Sequence, residues 1–201
     1  FHEFYVSCTL KFFFNNLRYL YTIQFFINNM LKLDTKPSVI LVVGFDCDRP
    51  RDAFIISKEG QEMAERKIKS ITNISKSLND LQIPRTFFVC GHFLESMNYK
   101  YGSERLRESF DINNQNVEIA DHSYSHNVLK PIITRPDKIP LTPEKVFEEF
   151  QKNTKIFENI FGEKFEHRGY RTPLGHFQGL TKLNKLLEKM KLAGVKYISS
   201  D

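Results

Sequence analysis

Ser38-Val39-Ile40-Leu41-Val42-Val43-Gly44-Phe45-Asp46-Cys47-Asp48 is the stretch that decides the fold class. From Val39 to Phe45 the run is β-branched or otherwise apolar, with only Gly44 between, and shows no polar alternation. That pattern predicts a strand buried on both faces of a parallel sheet. The run then stops at two carboxylates, Asp46 and Asp48. Carboxylates at the C-terminal end of a buried strand are costly unless paired, hydrogen-bonded or metal-bound, and that end is where α/β enzymes place their chemistry. The alternative at this point is a strand-ending turn with a helix cap.

Downstream, Met63, Ile68, Ile71, Ile74, Leu78 and Leu81 recur at spacings of three and four between charged residues. They predict an amphipathic helix over Glu59 to Leu81, stopped by Pro84. Arg85-Thr86-Phe87-Phe88-Val89-Cys90-Gly91 follows as a second buried strand, which makes a βαβ unit. A short helix is expected over Gly102 to Phe110, and a third strand over Val117 to Ala120. That strand leads into Asp121-His122-Ser123-Tyr124-Ser125-His126. Side chains four apart share one side of a helical turn, with Cβ atoms roughly 6 Å apart, so two imidazoles so placed can converge on one cation. Zinc–nitrogen bonds of about 2.1 Å fit such a pair, with a third ligand required from elsewhere. Alone, the spacing also suits two partly exposed polar residues on a loop.

A proline-rich loop spans Pro131 to Pro140, and Thr142-Pro143-Glu144 opens a helix with Thr as N-cap, Pro in the first turn and an acid beside the helix dipole. Val146, Phe147, Phe150, Ile156, Phe157 and Ile160 form its inner face, and it ends near Gly162. Phe165 to Tyr170 reads as a strand ending in Arg171-Thr172-Pro173, Gly179 to Leu192 as a helix closed by Gly194, and Val195 to Ser200 as one more strand. An alternation that halts just after a strand begins is expected of a fragment of a larger sheet or barrel.

Composition is ordinary for a globular protein, with 41% hydrophobic and 26% charged residues, which argues against disorder and against a fibrous repeat. The net charge of +5 is scattered through the predicted helices without a dense basic run, so no nucleic-acid partner is expected. It describes a solvated surface with a mild secondary attraction to anionic glycans. Cys8, Cys47 and Cys90 make neither a disulfide framework nor a zinc-finger spacing. Residues 1–29 differ from the remainder, being crowded with Phe, Asn, Tyr, Leu and Ile. They are treated as a leader that is spurious, disordered or an anchor, with residues 30–201 as the catalytic domain lacking its C-terminal part. Lys11, Arg18, Gln24 and the Asn pairs interrupt every apolar run before the roughly 20 residues a membrane span needs. Translation from Met30 would leave the protein cytoplasmic, and a retained leader would make it membrane-associated or exported.

Read in order, Gly44-Phe45-Asp46-Cys47-Asp48, His122-Ser123-Tyr124-Ser125-His126 and Arg168-Gly169-Tyr170-Arg171-Thr172-Pro173 resemble the motifs of the polysaccharide deacetylases, the NodB-homology or carbohydrate esterase 4 group. The resemblance covers roughly Ser38 to Asp201, including Thr86-Phe87-Phe88-Val89 and Tyr197-Ile198-Ser199-Ser200-Asp201. It implies an α/β fold, an incomplete irregular (β/α) barrel of the NodB type, with its site at the C-terminal ends of the strands. It further implies Asp46 as general base, Asp48, His122 and His126 as metal ligands, Arg171 as the partner of the base, and Pro173 and Leu174 as groove wall. Many members have the two aspartates adjacent; Cys47 between them here is similar to the branch with peptidoglycan deacetylase-like and allantoinase-like members.

The implied activity is metal-dependent hydrolysis of an N-acetyl group on an amino sugar in a glycan. Zinc is the default cation for an Asp/His/His set, and cobalt, nickel or manganese fits the same ligands. An allantoinase-like hydrolysis of a cyclic amide or ureide is the alternative on the same fold, and glycan binding without turnover is the alternative of another class. The family's general acid is a histidine of a later motif, expected beyond Asp201. His92, His167 and His176 are read instead as surface or turn residues.

Overall fold

The computed structural model describes residues 4–9, 39–133, 135–162, 168–176, 179–181 and 183–200. The rest of the leader with Met30, and also Ser38, Phe165 to His167 and Asp201, lie outside the described residues. The chain divides into two units, Phe1–Phe45 and Asp46–Asp201. In the first, strand β1 (Phe4–Thr9) pairs in parallel with the start of strand β2 (Val39–Cys47), Phe4 opposite Val39 and Thr9 opposite Gly44.

The second unit takes up the end of β2 and alternates helices with strands. Helix α1 (Lys58–Asp80) leads to β3 (Arg85–Val89), helix α2 (Gly91–Phe110) to β4 (Val117–Asp121), helix α3 (Pro143–Phe161) to β5 (Gly169–Arg171), and helix α4 (Asn184–Leu192) to β6 (Tyr197–Ser199). Pairing is parallel throughout, β3 with β4, β4 with β5 and β5 with β6. The Cys90 N–H donates to the Cys47 carbonyl at 2.9 Å, tying the end of β2 to the end of β3. The result is the α/β, incomplete irregular barrel that the sequence leads one to expect.

β3 is buried along its whole length, with the polar Arg85 and Thr86 as well as the apolar Phe87, Phe88 and Val89. Phe87 and Phe110 meet edge to face at 5.1 Å, and Phe110 meets Phe161 at 5.7 Å. A second part of the core gathers Leu129, Val146, Phe150, Tyr170, Leu180, Leu186 and Met190 under α3 and α4. α1 and α3 begin as their sequences require: the Ser57 and Thr142 hydroxyls accept from the N–H groups of Gly60 and Lys145.

Four local expectations need correction. β2 continues through Asp46 and Cys47, so Asp48 is the first residue past the strand. Gly91 belongs to a helix: α2 starts there and breaks only at Gly102, whose φ of 78° and ψ of 161° leave the helical region, so Gly102 to Phe110 is its second half. α4 starts at Asn184, because Gly179 sits in a left-handed turn with φ 57°. His176, expected at the surface or in a turn, is buried.

Candidate active site

The ends of β2, β4 and β5 bring Asp46, Asp48, His122, His126 and Arg171 together. Asp46, the penultimate residue of β2, accepts a hydrogen bond at Oδ1 from Arg171 Nη1 at 2.8 Å, and its Oδ2 lies 3.9 Å from His122 Nε2. Asp48, just past the strand, has Oδ2 3.6 Å from His126 Nε2. Residues two apart on a strand share a face. Ending the strand between them lets these two carboxylates take different partners.

Arg171 is fixed from three sides. Its Nε donates to Ser199 Oγ at 3.0 Å, its guanidinium lies 3.8 Å over the Phe88 ring, and its backbone carbonyl faces His122 Nδ1 at 2.9 Å. A carbonyl oxygen can only accept, so Nδ1 of His122 carries the proton and Nε2 keeps its lone pair toward Asp46. Burial lowers the His122 pKa from the ordinary histidine value, against the opposing charge of Asp46. Burial likewise pushes the His126 imidazole down to about 4, with His122 beside it acting in the same direction. Both rings are therefore neutral at pH 7, and their centroids stand 4.9 Å apart at 76°.

They do not converge by a helical turn, as the spacing of four suggests. Ser123 and His126 are left-handed, with φ of 63° and 59°, and the segment is a loop. The loop is held by local side-chain acceptors and by donors from α2. The Ser123 N–H donates to Asp121 Oδ1 at 2.6 Å, and the His126 N–H to Ser123 Oγ at 2.9 Å. The Ser123 and Tyr124 carbonyls accept from the Gly91 and His92 N–H groups at 3.1 and 3.0 Å. These are the exposed donors of the first turn of α2, where the N-cap residue Cys90 provides no capping side chain, so the loop serves as the cap of that helix. Burial raises the Asp121 carboxyl to about 7, while the Asn153 side chain and the Ser123 N–H pull the other way.

Among the described residues no three His, Cys, Asp or Glu side chains already close into a group that could hold a metal ion. The donors stand instead as two carboxylate–imidazole pairs, Asp46 with His122 and Asp48 with His126. Their chemistry fits a divalent cation of the zinc type: two neutral imidazoles, one with its lone-pair nitrogen fixed by a carbonyl on the other side of the ring, and carboxylates within reach. Pro173 is buried, and Leu174, at φ 65°, is exposed.

The family model described as Polysaccharide deacetylase matches residues 67–198. The chain belongs to the polysaccharide deacetylase family. The matched span holds His122, His126 and Arg171 and begins after Asp46 and Asp48. A CE4 esterase from Streptococcus mutans is similar in fold, with a TM-score of 0.54 at 15% identity, over 87% of this chain and 59% of that one. The peptidoglycan deacetylase PdaC from Bacillus subtilis has a TM-score of 0.43 at 20% identity, over 80% of this chain and 57% of its own. A CE4 family pseudoenzyme from Bacillus anthracis has a TM-score of 0.46 at 18% identity, over 78% of this chain and 41% of its own. This polysaccharide deacetylase family chain thus spans between 41% and 59% of the length of these structures. No curated protein matches it.

Several residues of the site lie in the quoted stretches without a role that the motifs assign. Ser199 and Phe88 hold the Arg171 guanidinium, and Asp121 anchors the histidine loop. Ser199 could have been found from pairing, since it stands opposite Arg171 in the β5–β6 register. His92 lies with Nδ1 2.8 Å from Asp52 Oδ1 and its ring against Tyr124, away from any role the motifs assign. Among the described residues no helix is long and apolar enough to cross a membrane.

Proposed function

We propose that the chain carries the hydrolytic site of a metal-dependent deacetylase that removes the N-acetyl group from an amino sugar in a glycan. The observation that carries it is the 2.8 Å Arg171–Asp46 pair standing beside two imidazoles and a second carboxylate. A glycan-binding module needs no base with its own guanidinium.

Asp48, His122 and His126 would hold the cation, zinc by default, with cobalt, nickel or manganese suited to the same donors. When bound, it supplies Lewis acidity to the acetamide carbonyl and to a water. Asp46 accepts the proton of the attacking water through the oxygen not occupied by Arg171. Arg171 orients that carboxylate and offsets its charge, itself immobilised by Ser199 and Phe88. Water adds to the carbonyl carbon, the C–N bond breaks, and acetate leaves together with an amine that takes up a proton. The exposed Leu174 offers an apolar contact for a sugar face, and Pro173 stiffens the turn that presents it.

Acetate release from N-acetylglucosamine oligomers by the zinc-loaded protein is the test. Asp46→Asn should keep zinc and lose turnover by roughly 10²-fold or more, whereas Asp48→Ala should lose zinc. Equal loss of metal in both variants overturns the division of roles. Ureide hydrolysis without acetate release transfers the site to the cyclic-amide chemistry, and glycan binding with neither product makes it a binding module.

A further inference from the structure

Three backbone N–H groups of the histidine loop go to side-chain acceptors. The N–H of Ser123 goes to Asp121, and that of His126 to Ser123 Oγ. The N–H of Ser125, between the two histidines, goes to Glu149 Oε2 on α3 at 3.2 Å, and the Ser125 hydroxyl donates to Oε1 of the same carboxylate. Glu149 thus grips Ser125 with both oxygens. One helical turn further along α3, the fully buried Asn153 borders Gly91 together with Tyr124 and lowers the pKa of Asp121 against the effect of burial. α3 therefore reaches the loop at Ser125 through Glu149, and one turn on it places Asn153 beside the start of α2.

This grip bears on His126 directly. His126 follows Ser125 in a left-handed conformation, which residues with a Cβ adopt reluctantly and keep only where the surroundings over-determine them. Without a fixed Ser125, the bond from the His126 N–H to Ser123 Oγ is left to oppose the return of His126 to an ordinary φ. That rotation would swing the imidazole away from Asp48, whose Oδ2 it now faces at 3.6 Å.

We infer that Glu149 is a positioning residue for the candidate centre: through its two bonds to Ser125 it holds His126 in the left-handed conformation that aims Nε2 toward Asp48. The inference rests on the metal-binding role proposed above. Among the described residues Glu149 makes no hydrogen bond or ion pair with either histidine ring or with Asp48, and it acts through Ser125.

The test measures zinc affinity of the full chain by competition with a chromogenic chelator, for the wild type, Glu149→Ala, Glu149→Gln, Ser125→Ala, the Glu149→Ala/Ser125→Ala double variant and His126→Ala. Glu149→Ala should weaken zinc about 10- to 100-fold, the range expected for residues that orient a ligand. The double variant should be no weaker than Glu149→Ala, since both act along one path. Glu149→Gln, which keeps one carboxamide oxygen as acceptor, should recover part of the loss. Hydrogen exchange at the Ser125 amide of the zinc-free protein should lose protection in Glu149→Ala. A merely structural role predicts a lower unfolding midpoint with zinc affinity unchanged, and that outcome overturns the inference. Independent, multiplying losses from Glu149→Ala and Ser125→Ala overturn it as well. Should Glu149→Ala fail to fold, Glu149→Gln and Ser125→Ala give the same comparison. If the wild type and His126→Ala bind zinc equally, the proposed function falls and the inference with it; if only His126→Ala is impaired, the function stands and Glu149 is excluded.

Discussion

Gly91→Ala tests the claim that the first turn of α2 and the histidine loop are packed as one piece. A glycine in a helix ordinarily gains about 0.5–1 kcal/mol on replacement by alanine, and Gly91, at the first helical position, stands at the low end of that range. The surroundings oppose the gain. A Cβ at Gly91 would lie 1.9 Å from Asn153 Oδ1 and 2.5 Å from Tyr124 Cδ2. Restoring ordinary contact requires shifts of about 1–1.5 Å in both. Neither can yield cheaply: Asn153 is wholly buried, and the Tyr124 backbone carbonyl is bound by the His92 N–H and the Cys90 thiol. Overpacking of this kind costs about 1–3 kcal/mol, which exceeds the helix gain, so the variant should be about 1–2 kcal/mol less stable. The unfolding temperature should fall by about 3–6 °C. Urea unfolding followed by circular dichroism measures it, with an unchanged slope expected. Because Tyr124 lies between the two histidines, zinc affinity should fall in the same variant. A Gly91→Ala protein as stable as the wild type, or more so, would refute the reasoning, since Asn153 and Tyr124 would then have moved aside without penalty.

Other consequences can be checked separately. Tyr170→Phe should raise stability by about 1 kcal/mol, because the Tyr170 hydroxyl is buried with no hydrogen-bond partner among the described residues; a loss of that size in urea unfolding would reveal one. Arg85→Ala should cost about 1–3 kcal/mol, since its fully buried side chain bonds Asn79 at 2.6 Å and pairs at 3.5 Å with the partly exposed Asp111, both of which keep a bond from Asn114. Arg66→Ala, at a 4.0 Å pair whose side chains are 64% and 56% exposed, should change stability by less than about 0.5 kcal/mol, and thermal melts of the two variants make the comparison. Cys90 should resist iodoacetamide at pH 8 in the native protein and react once unfolded, as read by peptide mass spectrometry: burial pushes its thiol up to about 11 and it donates to the Tyr124 carbonyl.

The elements legible in the sequence are those whose causes are local. α1 and α3 carry their own hydroxyl caps and apolar stripes, and β3 carries the apolar run Phe87 to Val89, so each was readable within about two residues of its ends. The start of α2 was not, because its capping acceptors are the Ser123 and Tyr124 carbonyls from a loop some thirty residues later, and nothing near Cys90 announces a helix. The same division runs through the site. Asp46 and Asp48 could be singled out because carboxylates after a buried run need a partner, and His122 and His126 because two imidazoles lie close in sequence. Their geometry could not, since left-handed backbone at Ser123 and His126 is imposed by Asp121, by α2 and by Glu149, none of which the spacing encodes. A spacing of four therefore singled out two rings that do stand together, but for the wrong geometric reason. What brings the rings together is a loop that satisfies the open end of one helix and is gripped by the side of another. In this fold the stability of α2 and the aim of the imidazoles rest on the same hydrogen bonds, so variants that loosen the helix start should loosen the site with it.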